Sequence, residues 1–120
     1  AQARLAPGPP RRLVLSGQGP FTADADAPGG VALRHPGDPP AQLALALANL
    51  DAVLAAAGAA RADLLSLRVL TTDMDAILAA EGVLLDWLRA GAARPTRTLL
   101  GVARLTEPAQ TIELEAEALA

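Results

Sequence analysis

The 120-residue chain contains no cysteine, no tyrosine and no lysine, and its only histidine is His35. These absences exclude a thiol nucleophile, a lysine Schiff base and a tyrosine general acid. A Ser-His-Asp triad would have to use His35, and a zinc site normally takes several His or Cys ligands, so a structural zinc is not expected. Acid–base chemistry in this chain must therefore use Asp, Glu, His35 or water.

The charge and the aromatic content also exclude classes of partner. The formal net charge is −3, and Phe21 and Trp87 are the only aromatic residues. Nucleic-acid binding usually takes a basic face or stacking aromatics, so no nucleic-acid partner is predicted. No apolar run approaches the ~20 residues of a membrane span and no signal peptide is visible. We therefore expect no membrane partner and a cytoplasmic protein, which the absence of cysteine also fits.

The length of the chain predicts one domain over residues 1–120, and the Pro, Gly and Arg content of residues 1–11 predicts an N-terminal arm. The leucines at 43, 47, 50 and 54 are spaced as one helical stripe, whereas Ile112, Leu114 and Ala116 alternate with glutamates as in a strand. The predicted order is strand 12–16, strand 31–33, helix 42–57, strand 63–72, helix 74–90, strand 97–104 and strand 110–118. This order indicates an α/β (α+β) fold in which two helices cover one face of a single mixed β-sheet. Because 52% of the residues are hydrophobic, we also expect part of the apolar surface to face another subunit.

Two charged residues on the last two predicted strands suggest a site. Arg97 lies in an apolar strand, where a planar guanidinium is suited to binding a small carboxylate. Glu113 is predicted on the adjacent strand, joined to the first by a short loop, and its carboxylate can hold or activate a water. The alternatives are an ordinary ion pair for Arg97 and a solvated face that Glu113 shares with Glu115 and Glu117. On the first interpretation the chain has a pocket for a small carboxylic acid.

The order of several short motifs resembles the RidA/YjgF family of enamine/imine deaminases over residues 12–118. The motifs are Ser16-Gly17-Gln18, Gly37-Asp38, Asn49-Leu50, Thr72-Asp73, Pro95-x-Arg97, Gly101-Val102-Ala103-Arg104-Leu105 and Ile112-Glu113-Leu114-Glu115-Ala116. The resemblance implies a chorismate-mutase-like (YjgF) fold and a homotrimer with three clefts between subunits. It implies hydrolysis of 2-imino acids to 2-keto acids and ammonia, with no cofactor and no metal.

The resemblance also implies roles for five residues. Arg97 would clamp the substrate carboxylate and Glu113 would position the water. The backbone amide of Gly17 would help to hold the carboxylate, and Ser16 and the Leu99 backbone would line the cleft.

The chain departs from the family at three positions near this cleft. The family tyrosine is absent, Leu99 stands where cysteine is frequent, and a family asparagine falls on Ala80 or Glu81. Two alternatives to the generic deaminase therefore stay open. One is a non-catalytic protein that binds a small carboxylate, and the other is a pathway-specific enzyme that acts on a different imine or enamine.

Overall fold

In the computed structural model, which describes residues 9–120, nine helices and strands form one main sheet, one hairpin and one helical layer. The predicted arm 1–11 lies mostly outside the described residues. The elements are β1 (Arg12–Gln18), β2 (Phe21–Ala23), β3 (Val31–Leu33), α1 (Pro39–Ala56), β4 (Leu64–Thr71), α2 (Met74–Ala79), α3 (Glu81–Ala90), β5 (Thr96–Gly101) and β6 (Ile112–Leu119).

The main sheet has four strands in the order β1-β6-β4-β5. Strand β6 pairs antiparallel with both β1 and β4, and β5 pairs parallel with β4 at the edge. The alternation along β6 buries Ile112, Leu114, Ala116 and Ala118 and turns its three glutamates to the opposite face. The expected mixed fold, with one main sheet and helices packed on it, is confirmed.

The helical layer is built on the leucine stripe of α1. Leu43, Leu47, Leu50 and Leu54 are all buried and join the apolar side chains of β4 and β6 in one core. The Asp38 carboxylate accepts a hydrogen bond from the Ala41 amide and so caps the start of this helix. Within residues 9–120, α1 is long and apolar enough to cross a membrane, but its buried stripe is that of a core helix.

Three segments differ from the sequence prediction. The predicted strand 97–104 ends at Gly101, the predicted helix 74–90 is divided at Ala80 into α2 and α3, and the segment between the first two predicted strands contains the short strand β2. Strand β2 pairs with β3 in a hairpin outside the main sheet, and the Asn49 amide holds it by donating to the carbonyls of Gly19 and Phe21, each at 2.8 Å. A three-residue strand is too short for alternation to reveal, and its position depends on this contact with α1.

A second polar contact holds α3 against the C-terminal end of α1. The Arg61 guanidinium binds both oxygens of Asp51, at 2.7 and 2.8 Å, and lies 4.6 Å from the centroid of the Trp87 ring. The indole N–H of Trp87 donates to Asp51 at 3.0 Å. The ring and the N–H of Trp87 therefore both contribute to packing between the helices.

The side chain of Gln42 joins three segments in the interior. It is completely buried, and its amide donates to the carbonyls of Ala109 at 2.9 Å and His35 at 3.2 Å. Its oxygen accepts from the backbone amide of Thr111 at 2.8 Å and from the Thr111 hydroxyl at 2.6 Å. These bonds fix the entrance of β6, and hence the register of the central strand, to the first turn of α1.

Replacing Gln42 with leucine tests this connection. Gln42→Leu keeps the volume but removes the partner of the half-buried Thr111 amide and of the Ala109 carbonyl, which lies in an exposed residue. We expect the free energy of unfolding to fall by about 1–3 kcal/mol, the cost of one buried group left without a hydrogen bond. Urea denaturation measures this, with Gln18→Leu at a partly exposed position as the control. Equal stability of both variants would contradict the assignment.

Candidate functional site

Arg97 lies on the edge strand β5, on the face that the helices cover. It is opposite Leu67 in β4, and Leu99 is opposite Val69; both β4 residues are buried in the core. Arg97 and Leu99 therefore point towards α2 and α3, where they line a cavity of about 410 Å³. Glu81, at the start of α3, lines the same cavity. We call Arg97, Leu99 and Glu81 the arginine half-site.

The Arg97 guanidinium has no ion pair or hydrogen bond with any side chain among residues 9–120. Within these residues, Arg97 therefore does not form the ion pair across the sheet that was the alternative to a ligand site. An exposed, permanently charged group beside an apolar cavity is available to an anionic ligand.

Glu113 lies on the opposite face of the sheet, beside β1. An added Cβ at Gly17 would come 3.0 Å from the Glu113 Cδ atom and 3.2–3.3 Å from its carboxylate oxygens. Only a residue without a side chain lets this carboxylate lie so close to the backbone of β1. We call Ser16, Gly17 and Glu113 the glutamate half-site.

A β-bulge shapes the glutamate half-site. Leu15 pairs with Ala116 and Gln18 pairs with Leu114, so Ser16 and Gly17 together oppose the single residue Glu115. Bulges interrupt the ladder and redirect the local backbone. The bulge brings the Gly17 backbone next to the Glu113 carboxylate, so these two predicted site residues are neighbours.

The three glutamates of β6 are not equivalent. Glu117 pairs with Arg12 at 2.8 Å, and Glu115 lies 3.6 Å from Arg68. The Glu113 carboxylate has no such partner within residues 9–120. The alternative of a solvated, ion-paired face therefore applies to Glu115 and Glu117, whereas Glu113 forms no ion pair within the described part of the chain.

The two half-sites do not meet within one chain, which corrects the sequence-based expectation that Arg97 and Glu113 lie on adjacent strands. Strand β4 separates β5 from β6, and Glu113 is three residues along β6 from Ala116, the residue in line with Arg97. These offsets correspond to roughly 10 Å across the sheet and roughly 10 Å along it, on opposite faces. A ligand of amino-acid size cannot contact both groups of the same chain.

Sequence reasoning did not assign Glu81 a role. It follows Ile77 by four residues and precedes Leu84 by three, across the break at Ala80, and both apolar residues line the same cavity. That spacing is visible in the sequence, but the cavity that Glu81 shares with Arg97 depends on how α3 packs against α1. Among residues 9–120, no three His, Asp or Glu side chains come together as metal ligands do.

The face that carries the glutamate half-site also exposes apolar side chains. Val14 is 71% exposed, and Leu100 and Leu119 also expose more than a third of their surface. An exposed apolar patch with charged residues among it is typical of a surface that contacts another protein.

Comparisons with known proteins place the chain among relatives with solved structures. The family model described as Endoribonuclease L-PSP matches residues 8–120. A Yersinia pestis protein of unknown function from the conserved Rid protein family, YyfB, is 34% identical with a TM-score of 0.79, over 93% of this chain and 80% of that one. Escherichia coli TdcF, solved with bound serine, is 28% identical with a TM-score of 0.75, and the match covers 97% of this chain and 84% of TdcF. The E. coli YjgF gene product is 27% identical with a TM-score of 0.74, and the match covers 96% of this chain and 84% of that one. A search of curated protein sequences finds no match.

Adding a methyl group at Gly17 tests the geometry of the glutamate half-site. In Gly17→Ala the new Cβ would lie 3.0 Å from Glu113 Cδ, so we expect the carboxylate to move by a few tenths of an ångström without unfolding. A crystal structure and a thermal melt of the variant measure both effects. In the control, Gly101→Ala, the new Cβ makes an ordinary 3.6 Å contact with Met74. An unmoved Glu113 in Gly17→Ala would contradict the assignment.

Proposed function

Because the chain belongs to the endoribonuclease L-PSP family, to which YjgF and Rid proteins are related, we propose that it hydrolyses 2-imino and 2-enamino acids to 2-keto acids and ammonia. The observation that carries the proposal concerns Arg97 and Glu113, which lie on opposite faces of one sheet and form no ion pair within residues 9–120. The substrate is a small molecule, and we expect the reaction to take place in the cytoplasm without a cofactor.

The proposed chemistry needs only positioning and charge. Arg97 binds the substrate carboxylate through two N–H groups, and the Gly17 amide donates to the same carboxylate. Glu113 orients a water beside the imine carbon. The water oxygen adds to the carbon of the protonated imine, the C=N π electrons move to the nitrogen, and Glu113 accepts one water proton, which gives a carbinolamine. Return of that proton to the nitrogen lets ammonia leave, and the hydroxyl loses its proton as the carbonyl of the 2-keto acid forms. Ser16 and the Leu99 backbone line the cleft and limit access of bulk water.

We further propose that one catalytic site combines the arginine half-site of one subunit with the glutamate half-site of its neighbour. The edge position of β5 supports this, because a second copy can approach its open side. The exposed apolar side chains on the glutamate face support it as well. Three such contacts closed by threefold symmetry form a homotrimer with three clefts.

Two other functions of the same cleft are alternatives. One is a non-catalytic protein that binds a small carboxylate through Arg97. The relative TdcF was solved with bound serine, which is a small molecule with a carboxylate. A pathway-specific enzyme would process a different imine, as the absent tyrosine and Leu99 suggest. RNA cleavage, which the family description names, is less favoured for two reasons. The chain carries a net charge of −3, and Trp87 packs between helices, where it cannot stack on a base.

Turnover of an imine generated in the assay tests the proposal. A serine dehydratase releases 2-aminoacrylate, and pyruvate formation is followed with and without the protein. We expect acceleration by the wild type and a loss of about 100-fold or more in kcat/KM for Arg97→Ala, because two charge-assisted hydrogen bonds are removed. The control is Arg104→Ala, which changes an exposed arginine in the β5–β6 loop. Full activity in Arg97→Ala, or none in an assembled wild type, would contradict the deaminase assignment.

Subunit mixing tests whether the site is shared. Arg97→Ala and Glu113→Gln are each expected to be inactive alone. When the two are refolded together, about a quarter of the clefts should combine an intact Arg97 with an intact Glu113. Pyruvate formation should then return to about a quarter of the wild-type rate per site, since the two half-sites come from different chains. No recovery in verified mixed oligomers would show that both groups act within one chain.

A further inference from the structure

We propose that Glu81 recognises the cationic nitrogen of the ligand, so that the cavity selects a zwitterionic 2-iminium or 2-amino acid with an apolar side chain. This proposal rests on Arg97 acting as the carboxylate clamp of the proposed function. It assigns a role to a residue outside the predicted catalytic set and narrows the substrate class.

The charged residues that line the cavity support the proposed role of Glu81. Arg97 and Glu81 line the same space of about 410 Å³, one from β5 and the other from α3. No ion pair joins them, because no carboxylate of residues 9–120 lies within 4.0 Å of the Arg97 guanidinium. Two opposite charges held apart at one cavity are complementary to a ligand that carries a carboxylate and a protonated nitrogen on neighbouring carbons.

The walls of the cavity define the third group of the ligand. Ile77 and Leu84 form a buried floor, and Leu78 and Leu99 stand at the opening with 50% and 36% of their surface exposed. An aliphatic side chain placed between them removes apolar surface of both partners from water, whereas a methyl group covers little of it. The cavity therefore favours a leucine-sized side chain over that of alanine.

The position of Glu81 separates its role from that of Glu113. Glu113 lies on the other face of the sheet and reaches the ligand only from a second subunit, where it is assigned to the water. Glu81 lines the same cavity as Arg97 within one chain. Because a 2-keto acid product has no cationic nitrogen, Glu81 distinguishes substrate from product and favours product release.

Glu81 also occupies the first turn of α3, where a carboxylate stabilises the helix dipole in any protein. A useful test must therefore depend on the charge of the ligand, since helix stabilisation does not. L-leucine and 4-methylpentanoate form a suitable pair, because they share the carboxylate and the isobutyl group and differ in the ammonium group.

Isothermal titration of the full-length protein with both compounds at pH 7.5 is the experiment. We expect the wild type to bind leucine about three- to fivefold more tightly than 4-methylpentanoate, the range expected for one partly exposed charge pair. Glu81→Gln should abolish this preference, Glu81→Asp should restore part of it, and Glu107→Gln, at an exposed loop position, should leave it unchanged. Leucine should also bind more tightly than alanine to the wild type.

Other results would overturn the proposal. These are a preference that survives in Glu81→Gln, an equal loss of affinity for both compounds in that variant, and no measurable binding of leucine. The outcome is distinguishable from failure of the deaminase assignment. A leucine preference that depends on Glu81, without imine turnover, would reject the deaminase and keep the binding role. Imine turnover without a Glu81-dependent preference for leucine would keep the deaminase and reject the binding role of Glu81.

Discussion

The two-residue alternation of the main sheet is the constraint on which the rest of the structure depends. It sends the apolar residues of β6 into the helical layer and turns Glu113 to the other face. The same alternation in β5 directs Arg97 towards the helices. Because the two charged groups lie on opposite faces and β4 separates their strands, a ligand of amino-acid size cannot contact both in one chain.

The buried polar side chains keep this alternation in register. A slip of one residue in β6 would move every glutamate into the core, and Gln42 opposes such a slip by binding the backbone at Ala109 and Thr111. The Arg61–Asp51–Trp87 contact holds α3 in place at its other end. The cavity beside Arg97 depends on both contacts, because α3 contributes Glu81 to it.

The chemistry proposed here suits the residues that the chain has. Without cysteine, lysine or tyrosine, it offers permanent positive charge from arginine, negative charge from carboxylates and donors from the backbone. Addition of water to an imine requires no strong nucleophile, so a clamp, an oriented water and a group that recognises the nitrogen are sufficient. The division of roles between Glu81 and Glu113 follows from their positions on opposite sides of the sheet.

The sequence by itself determined the elements with strong periodicity. The leucine stripe of α1 and the alternation in β6 were predictable because burial on one side imposes a period, and the family motifs led to the predicted roles of Arg97, Glu113 and Gly17. Tertiary structure alone decided what depends on contacts between distant residues: the insertion of β4 between β5 and β6, the short strand β2, and the cavity that Glu81 and Arg97 both line. No local pattern encodes these features, because strand order and cavity formation arise from packing between segments that are far apart in the chain.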